Sequence, residues 1–142
     1  MDKKTILVVD DSHMMRMAMG HLLTMEGYLV VQAAQGEAAL EVLAAQDVDL
    51  VLTDLNMPVL DGLGLVRAMR ADPRLAGVPI IMASGEDGEA VRAESRRAGA
   101  NFWLDKPCDA ETLTGLVSWA LELRAGLPGA GAAGTSPQAA EA

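Results

Sequence analysis

The stretch Val48-Asp49-Leu50-Val51-Leu52-Thr53-Asp54-Leu55-Asn56-Met57-Pro58 constrains this chain more than any other. Leu50, Val51 and Leu52 form an apolar run without polar alternation, the pattern of a strand buried on both faces. The run stops at Asp54, and Pro58 opposes a quick return to regular structure. A carboxylate is thereby expected at the carboxyl end of a central strand. In open α/β sheets ligands bind at that edge, where the loops diverge and leave a crevice. Asp54 could simply turn the chain, so its weight depends on what ends the other strands.

Taken in order, Thr5 to Val9 predicts a first strand ending at Asp10-Asp11. Asp11 or Ser12 caps a helix that reaches Glu26 and stops at Gly27. A second strand, Tyr28 to Ala33, leads into a helix from Glu37 to Ala45. After the strand around Val51, Asp61-Gly62 opens a helix from Leu63 to about Ala71, closed by Asp72-Pro73. Pro79 to Ala83 predicts a fourth strand ending at Ser84, and a charged helix follows to Ala98, terminated by Gly99. Asn101 to Leu104 predicts a fifth strand, and Lys106-Pro107 separates it from a helix over Ala110 to Arg124. Five alternations of strand and helix with short loops predict an α/β fold: a doubly wound parallel sheet with right-handed crossovers and helices on both faces.

The strand ends then converge on one edge: Asp10 and Asp11, Asp54, Ser84 and Lys106. Three carboxylates so close repel one another and favour protonation unless a cation compensates them. An all-oxygen donor set suits Mg²⁺ better than zinc. The formal net charge of −9 is consistent with a cation site, and it argues against nucleic acid as a direct partner because the non-specific electrostatic term would be repulsive. A single cysteine, Cys108, forms no internal disulfide and reads as a small core residue. No apolar stretch is long enough to span a membrane, and no signal-peptide pattern follows Asp2-Lys3-Lys4, so a cytoplasmic location is expected. Residues 1–125 are expected to form one domain. From Gly126 to the end, a Gly/Ala/Pro-rich composition offers too little apolar bulk to offset chain entropy, and a disordered tail is expected.

This ordered set resembles the receiver domain of two-component response regulators. Asp10-Asp11, Asp54 followed by Met57-Pro58 and Asp61-Gly62, Ser84, and Lys106-Pro107 stand at the ends of the right strands, and the likeness runs from about Thr5 to Arg124. It implies the flavodoxin-like (CheY-like) five-stranded sheet with strand order 2-1-3-4-5. It implies that Asp54 is a phosphoacceptor taking a phosphoryl group from a phosphohistidine, with a sensor histidine kinase or histidine phosphotransfer protein as partner. Mg²⁺ would be held by Asp11, Asp54 and the main-chain carbonyl of Asn56, with Asp10 acting through a water. Lys106 would face the phosphoryl oxygens and Ser84 would donate to one of them. Lys106-Pro107 is expected to be cis. Asn56 and Glu86, each two positions beyond a site residue, would tune dephosphorylation by holding or excluding water.

The resemblance also makes Trp103 the switch aromatic that turns inward when the hydroxyl residue moves, although tyrosine or phenylalanine is usual there. An indole is larger and its N–H needs a partner when buried. In the first helix Met15, Ala18, Met19 and Leu22 predict a core stripe, and Met14, Met17 and Met25 widen it. That flank is either a generous core or a docking surface for helices of a kinase or phosphotransfer domain. His13 and His21 read as surface residues. The function expected is that of a single-domain, phosphorylation-controlled binding module, not a turnover enzyme, that catalyses only its own phosphorylation and dephosphorylation. A phosphate relay shuttle, or a receiver cut from a longer chain, is the alternative. A haloacid-dehalogenase-type phosphohydrolase fits less well, since that class needs Asp-x-Asp where this chain has Asp10-Asp11-Ser12 or Asp54-Leu55-Asn56.

Overall fold

The computed structural model describes residues 3–86 and 88–126. The chain alternates strand and helix: β1 (Thr5–Val9), α1 (His13–Met25), β2 (Leu29–Ala33), α2 (Gly36–Ala45), β3 (Leu50–Asp54), α3 (Gly62–Arg70), β4 (Ile80–Ser84), α4 (Glu89–Ala98), β5 (Phe102–Asp105) and α5 (Ala110–Gly126), with a 3₁₀ turn over Pro73–Leu75. Every strand pairing is parallel, and the order across the sheet is β2-β1-β3-β4-β5. The doubly wound sheet expected from the alternation, and the 2-1-3-4-5 order expected from the resemblance, are both present.

Successive side chains of a strand point to opposite faces, so a strand covered on both faces is apolar at every position. In β1, Ile6 and Val8 join Leu50, Leu52, Ile81 and Leu104 beneath α1 and α5. Leu7 and Val9 join Val51, Ile80 and Met82 beneath α2 and α3. β2 is an edge strand, and its exposures show it, with Leu29 half exposed and only Ala33 buried.

Element ends differ from expectation where a side chain or turn replaces the backbone. Asn101 lies just before β5 instead of opening it; its buried Oδ1 accepts from Ile80 N–H at 2.8 Å and from the Arg70 guanidinium at 2.8 Å. β4 begins at Ile80, one residue after Pro79, and ends at Ser84 as expected. Asp72-Pro73 does not simply close α3, because Pro73 opens the 3₁₀ turn with Asp72 capping it. Ser12, not Asp11, caps α1 by accepting from Met15 N–H at 3.2 Å. Gly27 follows with φ 100°, the left-handed geometry that glycine adopts without a Cβ clash.

The predicted core stripe of α1 requires one correction. Met19, Gly20 and Leu23 are buried, Met15 and Leu22 pack at the flank, and Ala18 is exposed, because the face turned to the sheet is centred on Met19 and Leu23. Met14, Met17 and Met25 are 79%, 52% and 69% exposed, which removes the generous-core alternative. His13 and His21 are exposed as expected. Gly126, where the tail is expected to begin, is instead the last residue of α5, and the rest of that tail lies outside the described residues. Among the described residues no helix is long and apolar enough to cross a membrane.

Candidate functional site

The parallel sheet places the ends of β1, β3, β4 and β5 on one edge. Val9 pairs with Thr53, and Asp54 with Ala83. Ser84 pairs with Asp105. Asp54 thus ends the central strand with Asp10 and Asp11 beside it. Asp10, Asp11 and Asp54 each offer a carboxylate oxygen within 4.8 Å of the others.

Asp10 is the most enclosed of the three, at 1% exposure. Its Oδ1 accepts from Ser12 N–H at 2.9 Å, its own N–H donates to the Ala33 carbonyl at 3.2 Å, and its Oδ2 receives Lys106 Nζ at 3.1 Å. Asp54 Oδ1 receives the same Nζ at 3.1 Å. The Lys106–Pro107 peptide is cis, as expected, and Lys106 N–H donates to the Ser84 carbonyl at 2.9 Å. Close approach of the loop after β3 depends on Gly62: a Cβ there would collide with the Asp54 carbonyl and the Met82 sulfur, while its N–H donates to the Leu55 carbonyl at 2.9 Å.

Burial pushes the Asp54 carboxyl above the usual carboxylate range; hydrogen bonding and charge from Lys106 oppose that rise, and Asp10 adds to it. Burial alone would lower the Lys106 ammonium, but its bonds to Asp54 and Asp10 outweigh this and hold it above the usual lysine value. One ammonium against three carboxylates leaves an excess of negative charge in a half-buried pocket. These all-oxygen donors fit Mg²⁺: Asp11, exposed and outside the Lys106 bridge, is free to turn its carboxylate to an ion shared with Asp54.

The other expected residues lie around this centre. Ser84 is buried, and its Oγ accepts from Glu86 N–H at 2.9 Å. Asn56 Nδ2 donates to Glu86 Oε2 at 2.8 Å, linking the loops after β3 and β4. Trp103 is already turned inward at 8% exposure, and its indole N–H donates to Asp105 Oδ1 at 2.8 Å. Cys108 is half buried, and burial pushes its thiol up, away from reactive thiolate.

Three residues escaped the sequence reading. Arg16 donates through Nη1 to the Asp10 carbonyl at 2.7 Å and so braces the acidic turn from one turn inside α1. Asp105 and Arg92 form an ion pair beside Trp103, with N···O distances of 2.9 and 3.1 Å. Asp105 was legible in part, since residues two apart on a strand share a face. Arg92 was not, because its partner lies on another element.

A family model for the response regulator receiver domain matches residues 6–118. The chemotaxis protein CheY1 of Helicobacter pylori is 41% identical over 110 residues, covering 76% of this chain and 89% of that protein. The CAI-1 autoinducer sensor kinase/phosphatase CqsS of Vibrio cholerae is 35% identical over 117 residues, which is 82% of this chain but 17% of the kinase. The solved structure of Vibrio cholerae chemotaxis protein CheY4 superimposes with a TM-score of 0.81 at 34% identity, covering 84% of this chain and 99% of that one.

Proposed function

Because this chain belongs to the response regulator receiver domain family, we propose that it accepts a phosphoryl group on Asp54 and uses the resulting charge to control binding to a partner. The observation that carries the reading is the sharing of Lys106 Nζ between Asp54 and Asp10, at 3.1 Å from each, at the carboxyl edge of the sheet. A carboxylate there meets an incoming phosphoryl group with a fixed ammonium already beside it.

An Asp54 carboxylate oxygen attacks phosphorus, the N–P bond of a phosphohistidine breaks, and its electron pair returns to the imidazole nitrogen. Lys106 exchanges its carboxylate contacts for contacts with the phosphoryl oxygens. Mg²⁺, held by Asp11, Asp54 and the Asn56 carbonyl with Asp10 acting through water, would supply the charge that offsets the transferring group and align it for attack. Ser84 is the hydroxyl that donates to a phosphoryl oxygen; its Oγ can go on accepting from Glu86 N–H, so its movement draws the loop after β4 inward. Asn56 and Glu86 then govern whether water reaches the acyl phosphate, so the protein resets itself. Turnover of outside substrates is no part of this role.

The phosphoryl donor is a sensor histidine kinase or histidine phosphotransfer protein. Its helices would dock along α1, where Met14 stands exposed about one turn from Asp11 and Met17 nearly two; methionine adapts to varied helical partners. The test is Asp54→Asn. It should fold and take no label from acetyl phosphate, because an amide is a poor nucleophile; retained, acid-stable label on another residue would sink the assignment.

A further inference from the structure

Helix α4 is weakly tied to the body of the protein. Its one buried residue is Ser95, with Val91 and Ala98 only partly packed on the core. Arg92 is its link to β5: the guanidinium bonds both carboxylate oxygens of Asp105, at 3.1 and 2.9 Å, and lies 5.5 Å from the centre of the Trp103 ring. Asp105 also takes the indole N–H at 2.8 Å, so one carboxylate serves both Trp103 and α4. A buried indole N–H without an acceptor is costly, and Asp105 is what makes the inward position tolerable. Asp105 is also flanked by the site, since it pairs in register with Ser84 and directly precedes Lys106.

We propose that Asp105 is a positioning residue that holds Trp103 inside the core whether or not Asp54 carries a phosphoryl group, and that a change at Asp54 reaches α4 through Lys106 and the Asp105–Arg92 pair instead of through rotation of the indole. The second half rests on the reading of Asp54 given above; the first does not. Movement of Lys106 toward a phosphoryl group shifts the backbone next to Asp105, and the exposed, short-range ion pair to Arg92 is the contact with least to hold it. The indole bond, whose donor Trp103 is buried against the core, survives. Helix α4 is released while the aromatic stays.

The test uses 5-fluorotryptophan in a Trp119→Phe background, which leaves Trp103 as the sole reporter. The solvent isotope shift of its fluorine signal reads burial, and amide exchange over residues 89–98 reads α4. With Mg²⁺ and beryllofluoride the fluorine signal should stay single and buried while α4 exchange rises. Without any ligand, Asp105→Ala should move the ratio of buried to exposed indole by about tenfold, the worth of one lost hydrogen bond. Asp105→Asn, whose amide oxygen still accepts from the indole, should restore burial but leave α4 exchange unresponsive to beryllofluoride. If Asp105→Ala fails to fold, Arg92→Gln decides, with α4 exchange raised from the start and no further response.

An indole that becomes exposed or more buried on beryllofluoride binding in the unmodified Asp105 background overturns the proposal. So does an indole equally buried in Asp105→Ala, or an α4 in Arg92→Gln that responds as before. Label uptake from acetyl phosphate is measured on the same samples. Its absence would defeat the reading of Asp54, while the ligand-free comparison still judges the role of Asp105.

Discussion

Asn56 donates its side-chain amide to the Glu86 carboxylate at 2.8 Å, and the backbone N–H of the same Glu86 occupies the Ser84 hydroxyl at 2.9 Å. One residue thereby joins the loop after Asp54 to the hydroxyl that would donate to a phosphoryl group on it. Polar groups so placed can hold an attacking water, whereas bulky apolar ones exclude it. Decay of the purified aspartyl phosphate should therefore depend on Mg²⁺ and slow clearly in Asn56→Met and in Glu86→Leu. Single-turnover decay rates indifferent to both substitutions would rule out a fast-reset role for this pair.

The Asp54 carboxyl carries a pH signature. Its pKa is raised in the folded protein, chiefly by burial, so folding favours its protonated form. The associated stability is fully present below the unfolded value of 3.8 and is lost as pH rises through the higher folded value. Without Mg²⁺, the difference in unfolding free energy between the parent and Asp54→Asn should change across that interval, with the parent losing ground as pH rises. A difference that is flat with pH would mean that burial does not penalise the Asp54 charge.

Lys106 is the counter-charge for two enclosed carboxylates. Lys106→Met should lower stability in urea by about 1–3 kcal/mol, below the cost of stranding fully buried charges because both aspartates can take up protons. Saturating Mg²⁺ should recover much of the loss. Equal losses with and without Mg²⁺ would show that lysine and metal do not share the same charge balance.

Val59 has φ 70° and is 76% exposed, in the loop between Asp54 and α3. A β-branched residue is strained there, and asparagine tolerates the conformation far better. Val59→Asn should raise stability by about 1 kcal/mol, read as a higher urea midpoint at unchanged slope.

Exposed methionines on α1 separate docking from chemistry. Met14→Ser with Met17→Ser should shift stability by less than about 0.5 kcal/mol, as expected for exposed positions, and leave labelling by acetyl phosphate intact. Transfer from a phosphorylated histidine kinase should fall. If transfer from the protein donor is unchanged, the donor docks elsewhere.

Much of this protein is set by local sequence. Apolar runs of three or four residues leading to Asp10, Asp54 and Ser84 specify buried parallel strands, because a strand covered on both faces carries no polar alternation. Parallel strands share an edge, so the residues that end them were bound to meet. The tertiary structure decided what each group touches there. Lys106 reaches Asp10 across 96 positions of chain and Asp54 across 52, and only the folded sheet sets those contacts at 3.1 Å. It likewise decided that α1 turns Met19 and Leu23 inward and leaves Ala18 outside, since a helix with apolar residues on several sides can pack in more than one rotation. The inward Trp103 was also beyond the sequence alone: the acceptor that permits it, Asp105, is two residues away, but the guanidinium that holds this acceptor in place comes from Arg92 on a helix that local pattern shows only as charged and exposed. Periodicity selects a face for each side chain, and packing between distant segments selects its partner.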